Sequence, residues 1–579
     1  MNRHFFLRTL GVTLMLSGCV AQKKVRPQSS PNSPPVTEAK DPYYFEKTNR
    51  ITPPEEYVIL NKIAYGPTPN DITYLKKIGW SAYLNEQLNP DPSLDKNCDK
   101  KIADAKLHIE YGAGGEGKSK WSAVKEDRPL SYLNKGTDSL WKLVDGSKEL
   151  EWSEKVRPAE ELRAATIIRA VYSKWQLQEV LAQFWHNHFN VSASKDEKIA
   201  ALLPVYDRDV IRRNCFGNFR QFLEDVATSV SMGYYLDNVV SRASPANENF
   251  ARELFELHTL GAENYLNNLY NRWRQVPGAT SGKAKGYIDE DVYEAARAFT
   301  GWTIANGEDN GSGDNFANTG HFYYYEGWHD NYQKRVLGIE FDPNQAPMLD
   351  GKRVLDIVAF HPATARRICK KLCVRLVSDN PSDELVKRAA EVWIAERESP
   401  DQIKKVVKTI LSSPDFLQSF GQKIKNPFEL VVSFLRSTQA DVKPTGDLFW
   451  ALSQSGYLLF DYHTPTGHPD LADHWLGTNV NVTKWNMISN LISESIPSAT
   501  FNFAAQHPRG ISSSRQIAEY WLTRMFGTLP SKYVDSFVAF MAQNANPDSP
   551  PTGDDDDDIK QRLNSMIALM AMLPEFQLR

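Results

Sequence analysis

The stretch that decides the fold is residues 247–261, Asn-Glu-Asn-Phe-Ala-Arg-Glu-Leu-Phe-Glu-Leu-His-Thr-Leu-Gly. At 100° per residue, its apolar side chains and one histidine gather on one side of a helix: Phe250, Ala251, Leu254, Leu257 and His258. Pro245 suits a first helical turn, and Gly261 is a typical helix stop. The stretch therefore predicts an amphipathic helix that ends at Gly261.

The same helical spacing recurs along most of the chain. From Glu56 onward, apolar residues mostly return at helical intervals, and sheet-type alternation of Val, Ile and Thr is scarce. The sequence therefore predicts a mainly α fold, a large multi-helical body with long loops and little sheet. We expect one helical region over residues 55–579, either undivided or with a sub-boundary near residues 420–440.

The N-terminus has the pattern of an export signal. Arg3 and Arg8 supply positive charge before a short apolar stretch, which ends in Leu16-Ser-Gly-Cys19. This ending resembles the bacterial lipobox, which implies a signal peptide over residues 1–18 and lipid attachment at Cys19. The alternative is an ordinary signal peptide with a chance cysteine. Residues 19–54 then form a lipidated cysteine and a proline-rich tether.

Composition and charge limit which cellular locations and which classes of partner this protein can have. The 579 residues carry 67 Lys and Arg against 71 Asp and Glu, and no domain is strongly basic, which argues against nucleic acid as a partner. No later run reaches the roughly 18 apolar residues of a membrane-spanning helix. We expect a cell-envelope protein held to the membrane by its lipid anchor. The absence of aspartate after Cys19 favours the outer membrane or the periplasmic face.

Four cysteines remain after Cys19, namely Cys98, Cys215, Cys369 and Cys373. An oxidising compartment permits disulfides, and four cysteines allow three complete pairings. Cys369 and Cys373 lie among apolar residues on a predicted helix, and there is no second Cys or His pair at zinc-site spacing. Buried free thiols are therefore expected.

One predicted helix carries an inward-facing histidine. It is expected to begin at Ser173 with Gln176 completing a capping box, and its inward stripe ends at His188. His188 is a core histidine in one interpretation. In the other, it is a metal ligand or a general acid or base.

The polar face of the 247–261 helix offers a second set of candidates. Asn249, Arg252, Glu253 and Glu256 gather on the side opposite the apolar stripe. Glu253 and Glu256 are neighbours at i and i+3, where like charges cost a few tenths of a kcal/mol. Arg252, another cation or a metal ion would relieve that repulsion. A solvated polar face is the alternative.

Three further candidate site residues, Trp302, His329 and Asp330, follow a predicted helix that ends near Thr300. Trp302 is a candidate for stacking on a substrate, with core packing as the alternative. His329 and Asp330 are adjacent in the loop after Trp328. Such a pair either orients a catalytic imidazole or ties down a loop. After these, residues 361–366 open another helix, whose basic residues are expected on its outer side.

Several segments together resemble one known family. They are Ile63–Pro69, Phe184–Phe189, Tyr235–Asn238, residues 247–261, Ala298–Trp302, His329–Asp330, His361–Arg366, Thr464–Pro469 with Trp475, and Leu573–Gln577. Their order and residues resemble the bacterial family known as domain of unknown function 1800, from about Tyr57 to the C-terminus. The segment from about Asn97 to Glu160 fits poorly. The resemblance implies an exported, mainly helical protein, often encoded beside a sulfatase-like partner, and it brings no established reaction.

Two functions remain open at this point. In the first, the protein is a metal-assisted hydrolase of an envelope or extracellular polymer, with a divalent metal as the candidate cofactor. Its expected catalytic residues are Glu253 and Glu256, as metal ligands or as an acid/base pair, with His188, His329 and Asp330. Its expected substrate-binding residues are Asn249, Arg252 and Trp302. In the second, it is a non-catalytic envelope binding or assembly factor that works with a sulfatase-like partner. Convergence of the catalytic candidates around one cavity would favour the hydrolase.

Overall fold

The periodic apolar residues form helices, and the predicted mainly α fold is confirmed. The computed structural model describes residues 52–116 and 120–579. The predicted signal peptide, Cys19 and the tether up to residue 51 lie outside these residues. The α-helices of the described part are α1 (Glu55–Ile63), α2 (Pro69–Ile78), α3 (Trp80–Gln87), α4 (Lys96–Asp104), α5 (Thr137–Trp141), α6 (Trp152–Tyr172), α7 (Gln176–His188), α8 (Glu197–Val205), α9 (Phe219–Ala227), α10 (Val230–Tyr235), α11 (Asn249–Glu253), α12 (Asp289–Ala298), α13 (Leu349–Ala359), α14 (Pro362–Leu376), α15 (Asp383–Ala395), α16 (Gln402–Leu411), α17 (Pro414–Gln418), α18 (Pro427–Ser437), α19 (Gly446–Gln454), α20 (Ala472–Trp475), α21 (Thr478–Ile492), α22 (Ser514–Phe526), α23 (Ser531–Ala542) and α24 (Asp556–Met572).

Shorter elements connect these helices. Two segments are π-helical, π1 (Tyr206–Arg212) and π2 (Leu254–His258). The strands of the described part are β1 (Lys106–Tyr111), β2 (Val124–Pro129), β3 (Trp302–Asn306), β4 (Asn318–Tyr324), β5 (Lys334–Val336), β6 (Ile339–Phe341), β7 (Asp441–Val442) and β8 (Ala499–Thr500). They form antiparallel two-stranded sheets, in which β1 pairs with β2, β3 with β4, β5 with β6, and β7 with β8. Single 3₁₀ turns span Pro92–Leu94, Asn238–Val240, Ala262–Asn264, Trp273–Gln275, Ala279–Ser281, Glu326–Trp328 and Ala504–Gln506.

Side chains at the helix ends explain where several helices start. The α14 helix begins at Pro362, and the Nδ1 atom of His361 accepts a hydrogen bond from the Ala363 amide. The α7 helix begins at Gln176, three residues later than expected. The Gln176 side-chain amide donates to the carbonyls of Ser173 and Ala170, so it ties α7 to the end of α6 instead of forming a capping box.

The predicted helix over residues 247–261 is divided in two. α11 passes directly into π2, and the chain leaves π2 through Gly261, which has a φ of +99°. This positive φ favours glycine, and a Cβ atom here would also displace the Glu263 carboxylate, whose oxygen would lie 2.4 Å away. The expected helix stop at Gly261 is therefore present, but the last turn before it is wider than an α-helical turn.

The described residues from 52 onward form one folded unit, with its largest apolar cluster built from α1 to α19 and neighbouring segments. A second apolar cluster is built mainly by α22, α23 and α24. Leu435 of α18 packs in the first cluster and Phe434 in the second, so α18 contributes to both. The sub-boundary near residues 420–440 stays a prediction. All four cysteines of the described part are buried free thiols, and no helix there is long and apolar enough to cross a bilayer.

Candidate functional site

The C-terminal end of α7 is fastened to a loop that lies almost 280 residues away in sequence. The Asn187 side chain donates to the His468 carbonyl at 2.7 Å and accepts from the His468 amide. The Asn190 amide donates to the carbonyls of Tyr462 and Thr464 at 2.8 and 2.9 Å. These contacts hold the segments Phe184–Phe189 and Thr464–Pro469 against each other.

Two more of the segments that carry the family resemblance, Tyr235–Asn238 and residues 247–261, also contact this region. The Tyr235 hydroxyl donates to the His463 carbonyl at 2.9 Å. The Asn249 amide, at the start of α11, donates to Asp237 at 3.3 Å. We call the meeting point of α7, residues 235–237, α11 with π2, and residues 461–470 the segment junction. Asn249, a predicted substrate contact, is half-buried here and serves at least partly to hold these segments together.

Glu253 and Glu256 lie on the α11–π2 side of this junction. Both carboxylates are half-buried, and neither one hydrogen-bonds to or pairs with any residue that the structure describes. Burial raises the pKa of Glu253 above its ordinary value, the nearby Glu256 raises it further, and Arg252 opposes both effects. Arg252 itself pairs with Glu248 at 3.1 Å and with Asp289 at 3.4 Å. The oxygens of both carboxylates are therefore available to a bound molecule.

His188, at the end of α7, is buried and has no free ring nitrogen. Its Nε2 atom lies 3.1 Å from the His258 carbonyl oxygen, and its Nδ1 atom lies 3.0 Å from the Lys371 ammonium. The carbonyl needs a donor and the ammonium needs an acceptor, so we assign a neutral ring with its proton on Nε2. Burial holds the pKa of His188 well below its usual range, and the charge of Lys371 acts in the same direction. This ring fits the core-histidine interpretation.

Two basic residues of α14, Lys371 and Arg367, lie close to the segment junction and were not predicted as site residues. They were expected on the solvated outer side of α14, but both are half-buried, and Arg367 pairs with Glu263 at 2.8 Å. Burial lowers the pKa of Lys371 to about 8. The spacing of Arg367 and Lys371 at i and i+4 places them on one helical face, and that signal was available in the sequence.

His258, on the inward stripe as predicted, is fully buried within π2. Neither of its ring nitrogens has a hydrogen-bond partner among the described residues. Its ring lies 5.2 Å from the Phe189 ring and 6.0 Å from the His188 ring, centroid to centroid. Burial lowers the pKa of His258 to about 3, so the ring is neutral at physiological pH.

His329 and Asp330 lie in a separate buried network. The two nitrogens of His329 contact the Thr300 carbonyl at 2.8 Å and Asp350 at 3.3 Å. Arg297 donates to both carboxylate oxygens of Asp330 at 2.8 and 2.9 Å. Burial acts to raise the pKa of Asp330, but the hydrogen bonds from Arg297 outweigh it and hold this pKa below its ordinary value. The side-chain partners of the pair thus lie on α12, just after it and on α13, so the pair fastens its loop to these two helices.

Trp302 is buried in the core, with 1% of its surface exposed. Its ring packs against Phe299 and Phe322, with centroids 5.2 and 5.5 Å away. A Cβ atom on Gly351 would lie 2.6 Å from the same ring. These contacts cover the indole with protein atoms, as the core-packing alternative expected.

A buried ion network joins α7 to π1, and no sequence pattern marks it. Arg212, in π1, donates to both oxygens of Glu179 at 2.7 and 2.8 Å and to Asp207 at 2.8 and 3.1 Å. The Nε2 atom of His186 donates to Asp207 at 2.9 Å. Burial acts to raise the pKa of Asp207, but Arg212 and His186 outweigh it and hold this pKa below its ordinary range. The partners are 33 or fewer residues apart, yet no local pattern links them.

The structure thus brings some candidates together and separates others. Glu253 and Glu256 lie on the same segment as Asn249, and His188 contacts that segment only through the His258 carbonyl, whereas His329, Asp330 and Trp302 lie in other contacts. Across residues 52–116 and 120–579, no group of three or more His, Cys, Asp and Glu side chains is arranged to hold a metal ion. The donors that are present therefore do not fit the divalent metal site that the sequence suggested.

Comparisons with known proteins identify the family and no closer relative. Neither the curated proteins nor the solved structures gave a significant match. The model of a family described as a protein of unknown function (DUF1800) matches residues 58–578. This range contains the segment junction and the ion network, together with every described candidate residue. The chain is therefore a member of the DUF1800 family.

Proposed function

We propose that this protein is a lipid-anchored hydrolase of the bacterial cell envelope that cleaves an envelope or extracellular polymer with the carboxylates of Glu253 and Glu256. One observation carries the proposal. Two half-buried carboxylates without a partner lie side by side at the segment junction. Their oxygens are not among the buried atoms without a partner, so both carboxylates can reach a molecule that binds there.

The chemistry follows from the different surroundings of the two carboxylates. The raised pKa of Glu253 favours its protonated form, so Glu253 donates a proton to the leaving oxygen of the polymer. Glu256 accepts the proton of the attacking water. Splitting acid and base roles between two neighbouring carboxylates is a known route to hydrolysis at neutral pH.

This acid–base form replaces the metal-assisted form of the hypothesis. A metal held by the two glutamates would need a further ligand, and His188 was the expected one. Its Nδ1 atom already accepts from the Lys371 ammonium. A cation at that position would also be repelled by Lys371. We therefore expect equal metal content in the purified wild-type protein and in Glu253→Gln.

The test is release of soluble products from purified envelope fractions. Full-length protein is incubated with peptidoglycan, lipopolysaccharide and capsular material, and products are measured by mass spectrometry. Removing a general acid typically lowers a rate by about 10²–10⁴-fold, so Glu253→Gln should lose at least a hundredfold in rate. Glu248→Gln, an exposed glutamate just before α11, is the matched control. Product release by Glu253→Gln at the wild-type rate would refute the hydrolase.

The second candidate is a non-catalytic envelope binding or assembly factor that works with a sulfatase-like partner. It is favoured by the contacts of His188, His329 and Asp330, which are all satisfied within the protein. In that case Glu253→Gln should leave the function in cells intact, and the partner should co-purify with the lipidated protein. Anchoring has its own test, since Cys19→Ala should abolish labelling by radioactive palmitate.

A further inference from the structure

A large cleft opens at the N-terminal end of α7, far from the carboxylate pair. Its volume is about 630 Å³, and it lies between α4, the turn at residues 130–134, the end of α6, the start of α7 and π1. Sites for small organic molecules span roughly 300–1,000 Å³. With a rise of 1.5 Å per residue, Glu179 in this cleft lies about 14 Å along α7 from His188. The cleft is therefore a second place, distinct from the segment junction.

One guanidinium in the cleft has no hydrogen-bond partner. The side chain of Arg169 is 21% exposed and makes no hydrogen bond to any described residue, and its Nη1 atom is completely buried. The nearest carboxylate oxygen is Oδ2 of Asp207, at 3.6 Å, which is beyond hydrogen-bond length. Asp207 already accepts from Arg212 and His186. The Nη1 atom thus faces Asp207, while Nε and Nη2 make no hydrogen bond to any described residue and are not among the buried atoms, so they can donate to an acceptor from outside the chain.

The charges around the cleft indicate an acceptor with a single negative charge. Three arginines and three carboxylates line the cleft, so their formal charges cancel. Arg212 is fully used by Glu179 and Asp207. A planar carboxylate matches the two-pronged guanidinium of Arg169, whereas a doubly charged phosphate would meet stronger repulsion from Asp95 and Asp99.

The other residues that line the cleft indicate the chemistry of the rest of the ligand. Ile102, Leu130 and Leu133 supply apolar contact. Gln178 and Asn134 supply side-chain amides that are not hydrogen-bonded to any described residue, and the exposed Asp99 carboxylate is likewise unpaired there. Apolar walls with a few polar groups are typical of small-molecule sites, and such polar groups suit hydroxyls.

We propose that this cleft binds a sugar that carries a carboxylate, with the guanidinium of Arg169 on the carboxylate and Gln178, Asn134 and Asp99 on the hydroxyls. The assignment is independent of catalysis at Glu253. A chain held at the cell envelope that recognises acidic sugars would grip a polymer at one end of α7 and act on it at the other.

The test measures binding of glucuronic acid, glucose and glucose 6-phosphate to the full-length protein by titration calorimetry. Glucuronic acid should bind saturably and at least tenfold more tightly than either other sugar, because a charged bidentate pair is worth about that factor. Arg169→Gln should lose at least tenfold in affinity. Arg169→Lys keeps the charge without the fork and should lose less. Arg366→Gln, an exposed arginine on α14, is the control and should bind like the wild type.

Folding of the variants can be checked independently. Asp207 keeps its bonds from Arg212 and His186 in Arg169→Gln, so the melting temperature should stay near the wild-type value. Gln178→Trp fills the cleft without touching the ion network and should also abolish binding. The proposal is overturned if glucose or glucose 6-phosphate binds as tightly as glucuronic acid, or if Arg169→Gln or Gln178→Trp binds it with unchanged affinity.

Discussion

Replacing Arg212 by glutamine should cost far more stability than replacing an exposed arginine. Arg212 makes four hydrogen bonds to Glu179 and Asp207, whose side chains are only 6% and 3% exposed. Without it, Glu179 loses both of its bonds, and Asp207 keeps only that from His186, with Arg169 at 3.6 Å. Removing one partner of a buried ion pair typically costs about 3–5 kcal/mol, since the remaining charge stays buried.

The expected shift in melting temperature follows from the size of the folded unit. At 2.1 cal/mol/K per residue, a unit of this length unfolds with an entropy of roughly 1 kcal/mol/K. Arg212→Gln should therefore melt about 3–5 °C below the wild type in differential scanning calorimetry. Arg366→Gln breaks a pair whose side chains are 61% and 94% exposed, and it should shift melting by less than about 1 °C. Equal shifts in the two variants would show that the network does not stabilise this part of the fold.

Three further predictions concern single residues. Glu253→Gln should raise the melting temperature slightly at pH 7, because folding disfavours the charged form of Glu253 that the unfolded chain carries at this pH; a lower value would contradict the raised pKa of Glu253. Gly261→Ala should cost about 1–2 kcal/mol in denaturant unfolding, since alanine resists a φ of +99° and its Cβ displaces Glu263. Burial acts to raise the pKa of Glu429, but Arg375 and Arg579 outweigh it and lower this pKa from 4.5 to about 2. The charged Glu429 therefore stabilises the folded protein fully above pH 4.5, and this stabilisation is lost as the pH falls toward 2. Between pH 6, 4 and 3, the melting temperature of the wild type should fall by more than that of Glu429→Gln. An equal fall in both proteins would count against this role of Glu429.

Periodicity predicted the helices well because local spacing alone decides which face is apolar. It failed inside π2, where each turn holds more residues than the 100° step assumes. The wheel placed Leu257 inward, but Phe255 is buried in its place, together with Leu254 and His258. The sequence contains no pattern that marks a π-helical turn. The position of Glu256 relative to the core could therefore be predicted only approximately.

The candidate site was harder to predict than the fold because its partners come from distant segments. Periodicity placed His188 on an inward face, and that is correct. It could not show that Lys371 of α14 occupies the Nδ1 atom of this ring. In the same way, the adjacent His329 and Asp330 suggested catalysis, while their partner Arg297 lies more than 30 residues earlier. Spacing tells which way a side chain faces, but not what it meets.

The α7 helix has a mechanical consequence for the molecule. Its first turn carries Glu179 of the ion network, and its last residue, His188, touches π2 through the His258 carbonyl. A short helix buried along most of its length moves as a rod, so a tilt imposed at either end is transmitted to the opposite end. If a ligand bound near one end of α7 changes the affinity for a second ligand near the other end, the second ligand must change the affinity for the first by the same factor.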